Sequence, residues 1–191
     1  MKLKATVAIC VSLAAPVTAE EVQDLAQEGG QVIVQLAGAL QAELQSAMQA
    51  GGPVAAVDLC NIEAQSITYD ISDANEGWEI SRSSHRLRNP ANAPDAYTAA
   101  AIDDFLNRLD AGEDPQTLVR AEIIEQDDQR VFRMTRAIPT AGVCLTCHGA
   151  SEVSAEVADI LADRYPEDMA RGFSEGDMRG VFVLSKVLDA G

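Results

Sequence analysis

The chain has 191 residues, only 4% of them aromatic, with 30 Asp and Glu against 14 Lys and Arg for a net charge of −16. That length suits one domain with one core. So acidic a balance excludes nucleic acid as a partner and would steer the molecule toward basic ones. At the amino terminus, Lys2 and Lys4 precede an apolar run from Ala5 to Ala15, followed by Pro16, Val17, Thr18 and Ala19. This reads as an export signal over residues 1–19, cleaved after Ala19. The run is too short to persist as a membrane anchor, and Ile9 before Cys10 does not suit a lipoprotein. The mature chain, residues 20–191, is expected in the periplasm as a single domain with a net charge of about −18.

A long first helix is predicted from Glu21 to Ala50, with Val22, Leu25, Val32, Ile33, Leu36, Leu40, Leu44 and Met48 near helical spacing and Gly29 and Gly30 weakening its early part. Gly51 and Gly52 stop it, and Pro53 opens a short helix. On that helix Ala56, Val57, Cys60, Ala64 and Ile67 share a face, so the Cys60 sulfur is expected to point inward among small neighbours. Residues Ile67 to Gly77 read as irregular. Trp78 to Ser84 alternates as a strand, Asn89 to Ala93 forms a Pro- and Asn-rich loop, and Pro94 starts a helix to Asp110 with Tyr97, Ala101, Phe105 and Leu109 on one face. Leu118 to Glu125 and Arg130 to Ile138 read as a hairpin closed across Gln126 to Gln129. A helix from Ser154 to Tyr165 and an apolar strand from Gly180 to Leu188 complete the chain. Helices that precede and interrupt an antiparallel sheet make the fold class α+β.

Cys144, Leu145, Thr146, Cys147 and His148 spell Cys-x-x-Cys-His. Two thiols three positions apart can both reach vinyl groups on a porphyrin edge, and the adjacent imidazole can ligate the iron, so the motif reads as covalent attachment of one haem c. A zinc site would need further Cys or His ligands at metal spacing, and a thioredoxin-like pair would need a βαβ context; neither is present. Export fits this chemistry, since covalent haem attachment in bacteria takes place outside the cytoplasm. Two of the three thiols kept after cleavage are then consumed, leaving Cys60 alone. A sixth iron ligand could come from Cys60, from His85, or from Met48, Met134, Met169 or Met178. No spacing singles out a methionine, and His85 lies in a polar, arginine-rich stretch. Cys60, on a small-residue face with room for a porphyrin beside it, is the best placed.

Several segments resemble the stand-alone c-type haem domains with a PAS-like sheet, a family of soluble bacterial haem proteins also found in the sensor regions of kinases. Cys60 with Pro53 and Ala56 is similar to the family's cysteine-bearing helix, and Trp78, Arg82, Ser83 and Ser84 to its Trp and Arg-Thr-Ser strand. Arg88, Asn89, Pro90, Asn92, Pro94 and Asp95 resemble its Arg-Asn-Pro-x-Asn-x-Pro-Asp signature. Cys144, Cys147, His148 and Gly149 resemble its haem site, and Glu175, Gly176, Asp177, Arg179 and Gly180 its closing segment. The resemblance implies a PAS-like antiparallel sheet with a long N-terminal helix and flanking helices, and an iron held between His148 and Cys60. His85 stands where the family has an apolar residue, which leaves open a ligand switch on reduction.

A Cys60 thiolate would favour ferric iron and lower the redox potential. Arg82 and Arg88 are candidates to offset that charge by pairing with the haem propionates or bonding near the sulfur; their alternative role is a structural ion pair. Asn89, Asn92 and Asp95 read as residues that tie down a loop and cap the next helix. Two functions follow: a redox or small-gas sensor, in which nitric oxide or carbon monoxide displaces Cys60 and moves its helix, or a soluble electron carrier. With both axial positions filled there is no candidate for a distal acid or base, so no enzymatic role is expected. A sensor would need a signalling or redox protein partner, since the chain carries no kinase, cyclase or membrane segment, and the first helix offers a face for a homodimer.

Overall fold

A computed structural model describes residues 17–188, so nearly all of the expected export signal lies outside the described residues. The first element, α1 (Ala19–Ile62), begins where Thr18 accepts a hydrogen bond from the Glu21 amide at 3.1 Å. It runs unbroken through its early glycines. Gly29 is buried beneath Trp78, and a Cβ there would stand 3.2 Å from the indole ring, so the helix needs a bare backbone to approach the sheet. At Gly51 and Gly52 the helix kinks: Gly51 has φ −150° and ψ 15°, and Gly52 has φ 70° and ψ −162°. Only glycine adopts the second of these at no cost, and Pro53 restarts the helix with its preset φ.

The expected irregular stretch is instead a second helix, α2 (Ala64–Ala74), and the expectation over Ile67 to Ala74 is corrected. Its buried residues are only Ala64 and Thr68, and with the part-buried Ile67 and Ile71 they make a thin stripe against the edge of the sheet. Next come β1 (Trp78–Ser83) and α3 (Ala96–Asp110), then β2 (Val119–Gln126) and β3 (Gln129–Pro139). The hairpin is tighter than expected. Asp127 and Asp128 form its whole turn, both with positive φ, 51° and 61°, the two-residue geometry that matches strand twist. The motif residues Leu145–His148 form a single helical turn, α4, followed by α5 (Ala155–Arg164) and β4 (Met178–Leu188).

The sheet is antiparallel in the order β1-β4-β3-β2, so the last strand in sequence sits in the middle. On one face α1 packs Val32, Ile33 and Leu36 against Trp78, Ile80, Phe132, Met134 and Leu184. On the other, α3 packs Ile102 and Phe105 against Leu118, Ala137 and Val181. A third, small core joins α1 beyond its kink to α5: Val57, Val157, Leu161 and Tyr165, with Cys147 packed against them. The fold is thus α+β, as expected from sequence. No helix among the described residues is long and apolar enough to cross a membrane.

Candidate functional site

The third core brings the two ends of the site together. Val57 lies one turn before Cys60, and Cys147 belongs to the Cys-x-x-Cys-His turn, so α5 clamps the post-kink segment of α1 against α4. Arg164 on α5 adds an ion pair to Asp58 at 2.6 Å, and Asn61 donates to the Arg164 carbonyl at 3.3 Å.

His148 is held by a strap, residues 168–173. Phe173 and Gly172 donate their amides to the carbonyls of His148 and Gly149 at 3.0 Å each. His148 Nδ1 lies 2.9 Å from the Ala170 carbonyl oxygen. A carbonyl only accepts, so Nδ1 carries the proton and donates, leaving Nε2 as the unprotonated, accepting nitrogen. Burial first, then the cations Arg179 and Arg88, lower the His148 pKa to about 3. The imidazole is therefore neutral at any ordinary pH, the form a metal requires. Such a second hydrogen bond also fixes the ring plane of a ligating histidine.

Arg88 is the hub of the strap. Its guanidinium donates to Asp168 at 3.1 Å, to the Cys147 carbonyl at 2.6 Å and to the Ala170 carbonyl at 3.1 Å, and one nitrogen lies 3.5 Å from His148 Nε2. Asp168 also receives Arg171 at 2.8 Å and the Ala170 amide at 2.9 Å. Of the two roles open to Arg88 in the sequence, the structural ion pair is the one its contacts fill.

Cys60 departs from expectation. Ala56, Val57 and Ala64 on its face are buried, but Cys60 itself is open to solvent. Yet enough protein surrounds the thiol that burial raises its pKa, opposed by Arg82, Arg88 and Arg179. The inward-pointing thiol is corrected accordingly: the small neighbours are buried beside Cys60 and do not enclose it.

Arg82 and Arg179 complete the arrangement. Both act on Cys60, and Arg179 also lies against Cys144 and raises the positive potential at His148. Sequence reasoning passed over Arg179 except as part of the closing segment. His85 meets Phe173 edge to face at 5.9 Å, and His148 meets the same ring at 6.3 Å; the charged neighbours of His85 are Arg86 and Asp177.

The donor set fits a haem of the c type. The thiols of Cys144 and Cys147 are free, the His148 imidazole is neutral with Nε2 unprotonated, and a further sulfur, that of Cys60, is near enough to act on the Cys147 thiol. Among the described residues no three His, Cys, Asp or Glu side chains gather closely enough to hold a metal ion by themselves. An iron held here by two side chains thus needs its other ligands from a macrocycle.

The model of the Tll0287-like family matches residues 19–186, nearly all of the described chain. The fold is similar to a solved cyanobacterial haem protein, Tll0287, with a TM-score of 0.60 over 92% of this chain and 99% of that one, at 23% identity. Among curated proteins none matches the chain.

Proposed function

The chain belongs to the Tll0287-like family, and from that premise we propose that it is a periplasmic monohaem c-type protein with His148 and Cys60 as axial ligands, acting as a redox or small-gas sensor. Cys144 and Cys147 would hold the haem covalently. When bound, the haem supplies a one-electron ferric and ferrous couple and an iron able to take a diatomic gas.

One observation carries the sensor reading: the two ligands stand on elements held in different ways. His148 is tied on both flanks by the strap and at Nδ1 by Ala170. Cys60 rides on a ten-residue segment whose upstream joint is the Gly51–Gly52 kink. Loss of the Cys60 ligand would let that segment shift about the kink, and α2, which follows it and packs on β1, would carry the displacement to the sheet. Release of such a joint is what a gas or a change of oxidation state would bias.

The experiment is optical spectroscopy of the wild type and of Cys60→Ala. The wild type is expected to be ferric low-spin, and Cys60→Ala to lose that spectrum. Carbon monoxide added to the ferrous wild type is expected to replace an axial ligand rapidly. An unchanged six-coordinate spectrum with fast, reversible electrochemistry would overturn the sensor reading in favour of electron transfer. An untouched low-spin spectrum in Cys60→Ala would overturn Cys60 as the ligand.

A further inference from the structure

Three arginines act on Cys60, and they are not equivalent. Arg88 is neutralised: it holds Asp168 at 3.1 Å, a carboxylate only 4% exposed that it shares with the more open Arg171. Arg82 and Arg179 take part in no ion pair among the described residues. Arg179 acts on Arg82, and the other groups that act most strongly on the two are Arg88, Tyr165 and the thiols of Cys60 and Cys144. A guanidinium keeps its proton at any ordinary pH, and burial without an anion makes its charge costly to the fold. Two such charges beside two sulfurs mark a place where negative charge is to be met.

The backbone is built to place the pair. Arg82 shares a face of β1 with Trp78 and Ile80, and its guanidinium donates to the carbonyl of Ala64, one helical turn beyond Cys60, at 3.4 Å. Along β4, Gly180 pairs with Ile138 and Met178 pairs with Pro139, so Arg179 is an extra residue with no partner on β3. A bulge of this kind re-aims a side chain, and here the guanidinium donates to the Cys144 thiol. Gly180 makes the bulge fit: a Cβ there would lie 2.5 Å from the Ser83 carbonyl oxygen. Ser84 donates to the Arg179 carbonyl at 2.7 Å. Ser83 and Ser84 follow Arg82 directly, so these contacts bring both arginines to one end of the sheet.

Resting on the haem reading above, we propose that Arg82 and Arg179 set the redox potential of the site, as unpaired positive charges fixed beside the sulfurs of Cys60 and Cys144. Ligation by a Cys60 thiolate gives negative charge to the iron and favours its ferric form. Reduction adds one electron, so a fixed positive charge nearby favours the ferrous form and raises the potential. Enclosed charges act over such distances with little screening. The sequence offered Arg82 and Arg88 to offset the thiolate; the structure moves that role to Arg82 and Arg179, because Asp168 already neutralises Arg88. In a sensor, the pair would fix the ambient potential at which the couple changes state.

The test is the midpoint potential of the haem-loaded protein at neutral pH, in dilute and in concentrated salt, for the wild type, Arg82→Gln, Arg179→Gln and the matching lysine variants. Each glutamine variant should keep its covalent haem and ferric low-spin spectrum while its redox equilibrium shifts toward the ferric form by about tenfold, a fall of 59 mV for one electron. The fall should persist in concentrated salt, since enclosed charges are screened little, and the lysine variants should recover most of it. A glutamine variant with the spectrum and the potential of the wild type overturns the proposal. So does a lysine variant as low in potential as its glutamine counterpart, which would assign the effect to lost packing, or a difference that vanishes in concentrated salt. If Arg179→Gln disturbs the bulge and loses its haem, Arg82→Gln on its regular strand decides by the same criteria; loss of haem from both assigns the pair to the fold and overturns the proposal. A wild type without tetrapyrrole would instead overturn the haem reading itself.

Discussion

Single residues in this structure divide between holding the site and holding the frame, and hydrogen-bond direction tells them apart. His148 gives away its Nδ1 proton to Ala170 and keeps Nε2, whereas Asp95 uses both oxygens on the frame. One accepts the Thr98 amide at 2.7 Å to cap α3, and the other receives Arg133 at 2.6 Å. Burial would raise the Asp95 pKa, but the Thr98 bonds and Arg133 outweigh it and hold the carboxyl below its ordinary value. Its contribution is therefore complete above the unfolded-state pKa, near 4, and is lost as pH falls through the lower folded-state value. Thermal unfolding of Asp95→Asn, which keeps a cap but no charge, should show a shallower loss of Tm below pH 4 than the wild type. Asp95→Ala should cost about 0.5–2 kcal/mol at neutral pH through the lost cap. Equal acid slopes for the Asn variant and the wild type would remove Asp95 from the pH dependence. The role of this residue was legible in sequence, because capping is local: Asn89 and Asp95 bond amides two and three positions ahead. The role of Arg179 was not, since it depends on where β3 and β4 slip register.

At the scale of elements, the post-kink part of α1 is only as firmly placed as α5 makes it. Leu161 is fully buried between them. Its truncation to alanine should cost about 2–5 kcal/mol, the range for a large apolar residue lost from a core. If α5 positions Cys60, then Leu161→Ala should also weaken the sixth ligand, seen as a high-spin fraction in the ferric spectrum and faster carbon monoxide binding. A destabilised protein with wild-type spectrum and kinetics would show that α5 supports the fold without tuning the ligand. The sequence announced the joint itself, because Gly51-Gly52-Pro53 combines a free φ with a preset one. It did not announce α2. Ile67, Thr68, Tyr69 and Ile71 are weak helix formers, which hid the helical period that Ala64, Ile67, Thr68 and Ile71 keep at i, i+3, i+4 and i+7.

For the whole molecule, the long strands and helices were readable one at a time, whereas their order in space was not. Alternation marked Trp78 to Ser84, which the structure trims by one residue, β-prone runs marked the β2–β3 hairpin, and the apolar run marked β4. That β4 inserts between β1 and β3 follows from cores on both faces, in which Leu184 serves α1 and Val181 serves α3, a requirement visible only after folding. The same insertion brings Arg179, late in the chain, beside β1, while the strap from Asp168 to Phe173 returns over α4 to hold His148. Length, charge and motif therefore pointed to a chemistry before the fold was known. The claim on which the rest depends is covalent attachment of one haem to an exported chain. Its most direct test is the intact mass of the protein purified from the periplasm of a bacterium that matures c-type haem proteins. The expected mass is that of residues 20–191 plus one haem, retained after denaturation; a mass with no added tetrapyrrole would contradict it.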